Sequence, residues 1–159
     1  MNVQAVLFMV GLLFTPEFCN AAVIAACGAQ RGQAYYPAAG MVPKNKAGWT
    51  ADQFSGGYTT LTQDAKGEYD VVFHDATGST LSARSETGRV MEVRRSANEV
   101  AVAVVYASGA RAIEIYSFIR ETDGKAKMLQ LSSRGLSAEL AVPKAGVYVA
   151  DCSTLNLAR

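Results

Sequence analysis

The sequence predicts an all-β protein in which a single antiparallel meander of about eight strands forms a closed or partly closed β-barrel. Two observations predict this class. After Gly57, short alternating or β-branched runs recur at a spacing of roughly 8–12 residues, and turn-like pieces rich in Gly, Asp and Asn separate them. No segment has a clear helical period, and a short helix at 136–141 is the only one we consider. A β-sandwich is the alternative architecture.

Eight strands are predicted in the body of the protein, residues 58–159. They lie at 58–63, 69–74, 80–84, 89–94, 100–106, 111–120, 127–132 and 146–152. Nearly all connections between them are short, so strands that follow one another are expected to pair as antiparallel hairpins. Closure would remove the exposed edges of such a sheet, which favours the barrel over the sandwich.

Alternation within these strands separates an apolar face from a more polar one, because successive side chains of a strand point to opposite sides. Glu114 and Gln130 each stand between two aliphatic residues. We expect the aliphatic faces to turn inward and the polar faces to meet solvent. The aliphatic positions are Ile113, Ile115 and Ile119, then Leu129 and Leu131, then Val147 and Val149.

The N-terminal part of the chain predicts export. Residues 5–14 form an uninterrupted apolar run, too short to span a bilayer but suited to a signal peptide, and small residues follow at 21–22 and 25–26. We therefore assign residues 1–26 to a signal peptide, with a buried strand or helix as the alternative. Residues 27–57 are read as an irregular segment with one short strand at 34–36. Residues 27–159 form one domain.

The cysteines also favour a periplasmic or secreted protein. Cys19 would leave with the signal, and Cys27 and Cys152, 125 positions apart, would form a disulfide in an oxidising compartment. Residues 24–27, Ile-Ala-Ala-Cys, resemble the lipobox of bacterial lipoproteins. That resemblance implies an acylated Cys27 and a membrane anchor instead of the disulfide. Both interpretations remain open from the sequence.

Charge and motifs argue against several functions. The formal net charge is +1, without the basic stripe that nucleic acid binding needs. Neither a Walker nor a dinucleotide fingerprint is present, and the spacing of the acidic residues matches no calcium loop. We therefore expect no cofactor and no metal.

The single histidine, His74, forms with Asp70 and Asp75 a polar cluster that could serve a hydrolase, but the sequence nominates no serine partner for it. No catalytic residue is assigned, and we expect a binding protein rather than an enzyme.

Two short resemblances suggest what could be bound. Gly48-Trp49 is similar to the glycine–tryptophan start of the lipocalins, which implies a small apolar ligand held inside the barrel. Residues 107–111, Ala-Ser-Gly-Ala-Arg, are similar to the serine–glycine loop of the periplasmic C-type lysozyme inhibitors. That resemblance implies a protein partner met by Ser108, Gly109 and Arg111, with Arg120 or Lys125 as a basic partner.

The predicted function is therefore a non-enzymatic binding or inhibitor module that acts through its hairpin loops, 107–111 above all. A lipocalin-like carrier of a small apolar ligand is the alternative, and a hydrolase that uses His74 comes third. A solid core would favour the first function. A cavity with an open mouth and a lining of Ile and Val would favour the second.

Overall fold

The structure is a computed structural model that describes residues 21–108, 111–136 and 142–157. These residues form eleven strands and one short 3₁₀ helix, η1 (Lys44–Lys46). The strands are β1 (Ala22–Cys27), β2 (Arg31–Tyr36), β3 (Gly48–Gln53), β4 (Tyr58–Gln63), β5 (Tyr69–His74), β6 (Thr80–Ser82), β7 (Gly88–Arg95), β8 (Glu99–Tyr106), β9 (Ala112–Arg120), β10 (Ala126–Arg134) and β11 (Lys144–Leu155). The predicted all-β class is confirmed.

All strands belong to one antiparallel sheet that curls into a half-barrel. The path of paired strands runs β6-β5-β4-β1-β11-β10-β9-β8-β7. One edge of the long strand β11 pairs with β1 near its end and with β2 near its start, and β3 pairs with β2. β7, at one end of the path, approaches β5, the strand next to the other end, where the Arg95 guanidinium donates a hydrogen bond to the Tyr69 hydroxyl. The barrel is thus partly closed.

The strands after Gly57 follow the prediction closely, and those before it do not. β4 and β5 have the predicted bounds, whereas β11 is longer than predicted. The segment 27–57, predicted to be irregular, contains the hairpin of β2 and β3. The simple meander is also interrupted, because β1 lies between β4 and β11. Of the possible helix at 136–141, Leu136 is exposed and outside any helix, and 137–141 lie outside the described residues.

The first strand lies in the middle of the sheet. β1 pairs with β4 on one side and with β11 on the other, and it places Ile24, Ala25 and Cys27 in the core. The predicted signal boundary after residue 26 falls inside this strand. A signal that ended there would remove a central strand from the fold.

The two predicted partner cysteines form a disulfide. Cys27 of β1 and Cys152 of β11 are directly opposite each other in the strand register, and their sulfur atoms are bonded. Since the Cys27 sulfur is used in this bond, it is not free to carry an acyl chain. The disulfide indicates an oxidising, non-cytosolic location.

The core is built from the inner faces of the half-barrel. Its centre contains alternate valines of β8 together with aromatic, aliphatic and sulfur-containing side chains from the facing strands. The largest of these side chains are Leu61, Val71, Val100, Val102, Val104, Tyr116, Phe118 and Met128. Their tight packing accounts for much of the stability of the fold, since each buried side chain of this size contributes about 1.5–3 kcal/mol.

The expectation that aliphatic faces turn inward is wrong for β9, β10 and β11. On these strands the large buried side chains in the middle are Tyr116, Phe118, Met128, Gln130 and Tyr148, and Ala150 is buried beside them. The aliphatic residues between them face outward, and Ile113, Leu129, Leu131 and Val147 are all exposed. Large aromatic rings fill the interior here, and polar groups among them are held by hydrogen bonds.

The outward aliphatic residues form a continuous surface. In the strand register Leu131 lies between Ile115 and Val147, and the surface continues to Tyr35 and Trp49, whose rings are 5.7 Å apart.

Over the described residues, the chain has no helix of the length and apolar character needed to cross a membrane.

Candidate functional site

A cavity of about 480 Å³ opens at the rim of the half-barrel. It lies where β1 and β5 end and where β4 and β9 begin. Three connecting segments form its rim: residues 28–30, 53–58 and 74–76. The side chains of its floor and walls come from the inner faces of the strands, from the connection between β1 and β2 and from the segment after β3. They are Gln30, Phe54, Thr59, Phe73, Glu114 and Gln130.

Gln30 lies in the connection between β1 and β2. The backbone fixes this connection, because Gly28 N donates to Asp151 O at 2.9 Å and Phe54 N donates to Gln30 O at 2.9 Å. The Gln30 side chain is buried, with 6% exposed, and its Nε2 donates to Thr59 Oγ1 at 3.1 Å. Its carboxamide oxygen is sealed from solvent and accepts no hydrogen bond.

Gln130, Tyr116 and Glu114 form a second buried arrangement. Gln130 Nε2 donates to the Tyr116 hydroxyl at 2.9 Å, and that hydroxyl donates to Glu114 Oε2 at 2.6 Å. A tyrosine hydroxyl has one hydrogen, so Tyr116 can only accept from Gln130. The oxygen of the Gln130 carboxamide, which is 4% exposed, is therefore left without a partner. Unpaired buried acceptors of this kind are rare in folded proteins and require an explanation.

Burial sets the electrostatics of this network. It raises the pKa of the Glu114 carboxyl, against the hydrogen bond from Tyr116 and the positive charges of Lys144 and Arg134, which lower it. Burial and the neighbouring Glu114 carboxyl raise the pKa of Tyr116. None of the ion pairs between described residues includes Glu114. This carboxyl therefore lies inside the barrel without a direct counter-charge.

Aromatic rings and a glycine turn shape the walls. Phe54 packs against Tyr148 with ring centres 5.5 Å apart, and Phe73 packs against Tyr116 at 6.1 Å. Gly57 has φ +79°, and a side-chain carbon there would lie 2.3 Å from the carbonyl oxygen of His74. Only glycine fits this position, so the turn before β4 lies tightly against the end of β5.

A charged cluster beside the cavity fastens the β2–β3 hairpin to β11. Asp52 Oδ2 accepts hydrogen bonds from Lys144 Nζ at 2.8 Å, from the Tyr148 hydroxyl at 2.8 Å and from the Tyr36 hydroxyl at 3.1 Å. Desolvation raises the pKa of Asp52, but the bonds from Lys144 and Tyr148 outweigh it and lower that pKa overall. The Lys144 ammonium also faces the rings of Tyr36, Phe54 and Tyr148.

A second cavity, of about 450 Å³, lies on the other side of Phe73 and Glu114, which line both cavities. Its other residues include Leu81 of β6, Tyr106 of β8 and Arg134 of β10. Glu114 can thus be approached from two sides.

The predicted polar cluster does not converge on one site. Asp70 and His74 do share a face of β5, but it is the face opposite the buried residues Tyr69 and Val71. Asp70 binds the Ser82 hydroxyl and Arg84 N, and Asp75 Oδ1 closes its own turn by accepting from residues 77 and 79. The His74 ring nitrogens contact two threonine hydroxyls, Thr60 at 3.5 Å and Thr80 at 3.1 Å, and the ring stacks on Tyr58.

The predicted binding loop is described only in part. Ser108 is exposed and its hydroxyl lies 3.0 Å from the Thr87 hydroxyl, while Arg111 adopts φ +43° and donates its N–H to Ser108 O at 3.4 Å. Gly109 lies outside the described residues. Of the two candidate basic partners, Arg120 donates to Leu155 O at 2.6 Å and Lys125 pairs with Asp123.

The acidic residues of the β4–β5 hairpin serve structural contacts. Arg84 pairs with Glu68 at 2.9 Å and with Asp64 at 3.7 Å. In the part of the chain that the structure describes, no three His, Cys, Asp or Glu side chains come close enough together to hold a metal ion.

The fold and the cavity define a class: a disulfide-linked antiparallel half-barrel with a polar, partly aromatic cavity open at its rim. No protein-family model matches the chain, and comparisons with curated proteins and with solved structures gave no match either.

Proposed function

We propose that the protein is an exported, non-enzymatic binding protein that holds a small molecule in the rim cavity. The observation that carries this proposal is the pair of buried carboxamide oxygens, those of Gln30 and Gln130, that lack hydrogen-bond partners beside a cavity. Each unpaired buried group costs about 1–3 kcal/mol. A ligand that donates hydrogen bonds to them, after a small rotation of each side chain, would recover that free energy.

The cavity also has a suitable size and lining. Its volume falls within the range of roughly 300–1,000 Å³ that is common for small-molecule sites. Aromatic walls, Phe54 and Phe73, face a polar floor, rather than the Ile and Val lining expected of a carrier for purely apolar ligands. The proposed ligand therefore combines an apolar body with hydrogen-bond donors. Binding of a protein through the loop 107–111 stays a prediction, since no contact described for Ser108 favours it.

Export is part of the proposal, and we place the end of the signal before Ala22 so that β1 stays in the mature protein. The disulfide supports the periplasm or the extracellular space as its location. Intact-mass measurement of the exported protein tests this. We expect a chain that begins near residue 21 or 22 and has lost two hydrogens to the disulfide. A chain that starts at Cys27 with an added lipid mass would contradict it.

The binding function is tested by titrating the ¹⁵N-labelled protein with a set of small aromatic amines, alcohols and acids. The side-chain NH₂ signals of Gln30 and Gln130 report on the cavity directly. A matched pair of variants places the site: Ala29 lines the cavity, whereas Ala145 is exposed on the outer face of β11. We expect Ala29→Trp to weaken binding at least tenfold and Ala145→Trp to leave it unchanged.

Two results would overturn the proposal. One is that no member of the set gives a saturable shift of the two glutamine signals at concentrations up to about 5 mM. That concentration is about five times a Kd of ~1 mM, which corresponds to a binding free energy of ~4 kcal/mol. The other is that both tryptophan variants bind as tightly as the unaltered protein.

A further inference from the structure

We infer that the rim cavity selects an organic cation, an ammonium or amidinium group joined to an apolar body. This inference rests on the proposed binding function and adds the chemical class of the ligand. Three features of the site carry it: the hydrogen-bond capacity left free in the floor, the unbalanced negative charge of Glu114, and the aromatic walls.

The buried polar atoms of the floor that lack any hydrogen-bond partner are acceptors. Gln30 Nε2 is used on Thr59, Gln130 Nε2 on Tyr116, and the hydroxyl hydrogen of Tyr116 on Glu114. Each carboxamide nitrogen keeps a second hydrogen, but the atoms with no partner at all are the oxygens of the two glutamine side chains, which are both more than nine-tenths buried. The Glu114 carboxyl, which accepts from Tyr116, adds further acceptor capacity. An ammonium group has three donors and no acceptor, so it complements these atoms. A carboxylate ligand would instead be repelled by Glu114.

The charges around the cavity are also negative on balance. Glu114 and Asp75 are among its described lining residues, and that lining includes neither lysine nor arginine. Two cations act on Glu114 from other strands. Lys144 is paired with Asp52 at 2.8 Å, and Arg134 lines the second cavity, where its Nε donates to Val142 O at 3.0 Å.

The tyrosines near Glu114 bring no positive charge. Tyr116 donates to its carboxyl, and the negative charge of Glu114 helps to raise the pKa of Tyr106, after the larger effect of burial. Burial disfavours the ionised form of Glu114 itself. A bound ammonium would supply the missing counter-charge and bring the carboxyl back toward ionisation, so the gain on binding is specific to a cation.

The walls suit the remainder of such a ligand. The rings of Phe54 and Phe73 present apolar surface beside the polar floor, and an aromatic ring attracts a cation held near its face. Phe54 already faces one ammonium in this way, that of Lys144 at 5.6 Å from the ring centre.

The test compares three probes of nearly the same size and with the same phenyl ring: 2-phenylethylammonium, 2-phenylethanol and 3-phenylpropionate. Isothermal titration calorimetry near pH 7.5 gives each affinity, and the NH₂ signals of Gln30 and Gln130 locate the binding. We expect the ammonium to bind at least tenfold more tightly than the alcohol, and the carboxylate to bind more weakly than either. The affinity of the ammonium should also fall as the pH is lowered and Glu114 takes up a proton.

Two variants separate the charge of Glu114 from its shape. Glu114→Gln keeps an acceptor for the Tyr116 hydroxyl but removes the charge, so the ammonium should bind no better than the alcohol. Glu121→Gln, an exposed acid in the turn between β9 and β10, serves as the control and should change nothing. If Glu114→Gln fails to fold, the three probes and the pH dependence on the unaltered protein still decide.

The outcomes distinguish the two levels of the proposal. Equal or tighter binding of the alcohol or the carboxylate at the same glutamine signals overturns the cation inference and leaves the binding function standing. If none of the three probes binds, the cation inference falls, and the wider set of small aromatics decides the binding function separately.

Discussion

Leu61 and Leu131 form a matched pair that tests which faces of the strands point inward. Both are leucines within strands, Leu61 in β4 and Leu131 in β10. Leu61 is 0% exposed and belongs to the core, whereas Leu131 is 50% exposed on the outer face. Replacing each by alanine removes the same atoms from two different environments.

The expected losses of stability follow from this difference. Leu61→Ala should lower the free energy of unfolding by about 2–5 kcal/mol, because it removes buried apolar surface and leaves a cavity behind. Leu131→Ala should lower it by no more than about 1.5 kcal/mol. Full burial of a leucine is worth about 1.5–3 kcal/mol, but half of this side chain already meets water, and solvent fills the space it leaves.

Urea denaturation of the oxidised protein, followed by far-ultraviolet circular dichroism, gives both free energies. Circular dichroism is the better signal, because the single tryptophan, Trp49, is exposed at the edge strand β3 and reports poorly on the core. An unchanged slope against urea shows that the unfolding transitions are comparable. Equal losses, or a larger loss for Leu131, would refute the arrangement and restore the sequence-based expectation that Leu131 points inward.

Three further changes have defined outcomes. Replacing Cys27 and Cys152 together by serine should lower the free energy of unfolding, measured in urea, by about 4–5 kcal/mol, because the disulfide closes a long loop of the unfolded chain. Asp52→Asn should cost stability near the lower end of ~3–5 kcal/mol, because it leaves the Lys144 ammonium without its counter-charge, and adding Lys144→Met should recover most of the loss. The pKa of Glu114 is raised in the folded protein, so its contribution to stability is fully present below its unfolded pKa of about 4.3 and is lost as the pH rises through the folded value. The free energy of unfolding should therefore fall between pH 4 and 8, and Glu114→Gln should remove this fall.

Each of these changes has a contrasting result. Asp151→Asn serves as the control for Asp52, because the Lys127–Asp151 ion pair lies at the surface and should be worth less than about 1 kcal/mol. Equal effects of the two substitutions would show that the Asp52–Lys144 ion pair stabilises the fold no more than a surface ion pair does. A cysteine-free variant as stable as the oxidised protein would count against the disulfide, and a Glu114→Gln variant with an unaltered pH profile would count against burial of that carboxyl.

Local sequence signals located the strands wherever turn chemistry marked both of their ends. β5 has the predicted bounds because Gly67 and Gly78, both at positive φ, form the turns on either side of it. β1 carries no such mark. Its sequence, Ala-Val-Ile-Ala-Ala-Cys, suits both a buried central strand and the end of a signal peptide, and only the pairing with β4 and β11 distinguishes them. β3 was missed because its sequence, Gly-Trp-Thr-Ala-Asp-Gln, has one β-branched residue and no aliphatic residue larger than alanine.

The site was missed for a related reason. Alternation predicts that a strand has two faces, but it does not say which face the rest of the protein covers. Glu114 and Gln130 are each flanked by aliphatic residues, so the usual preference of aliphatic side chains for the interior assigned both to the surface. In the structure, Tyr116 and Phe118 follow Glu114 on the buried face, and their larger apolar area determines which face turns inward. The aromatic residues at alternate positions were the available signal.

The same residues explain how the fold tolerates a polar interior. Two unpaired carboxamide oxygens cost about 2–6 kcal/mol together, which is close to the ~4–5 kcal/mol expected from the disulfide. The disulfide also acts locally: Cys27 precedes Gln30 by three positions and is paired in the sheet with Thr59, the hydrogen-bond partner of Gln30. Residues that depart from the pattern favoured for stability are expected to be concentrated where a protein functions. The disulfide therefore does more than join the first and last strands, because it holds in place the segment that forms one side of the proposed binding site.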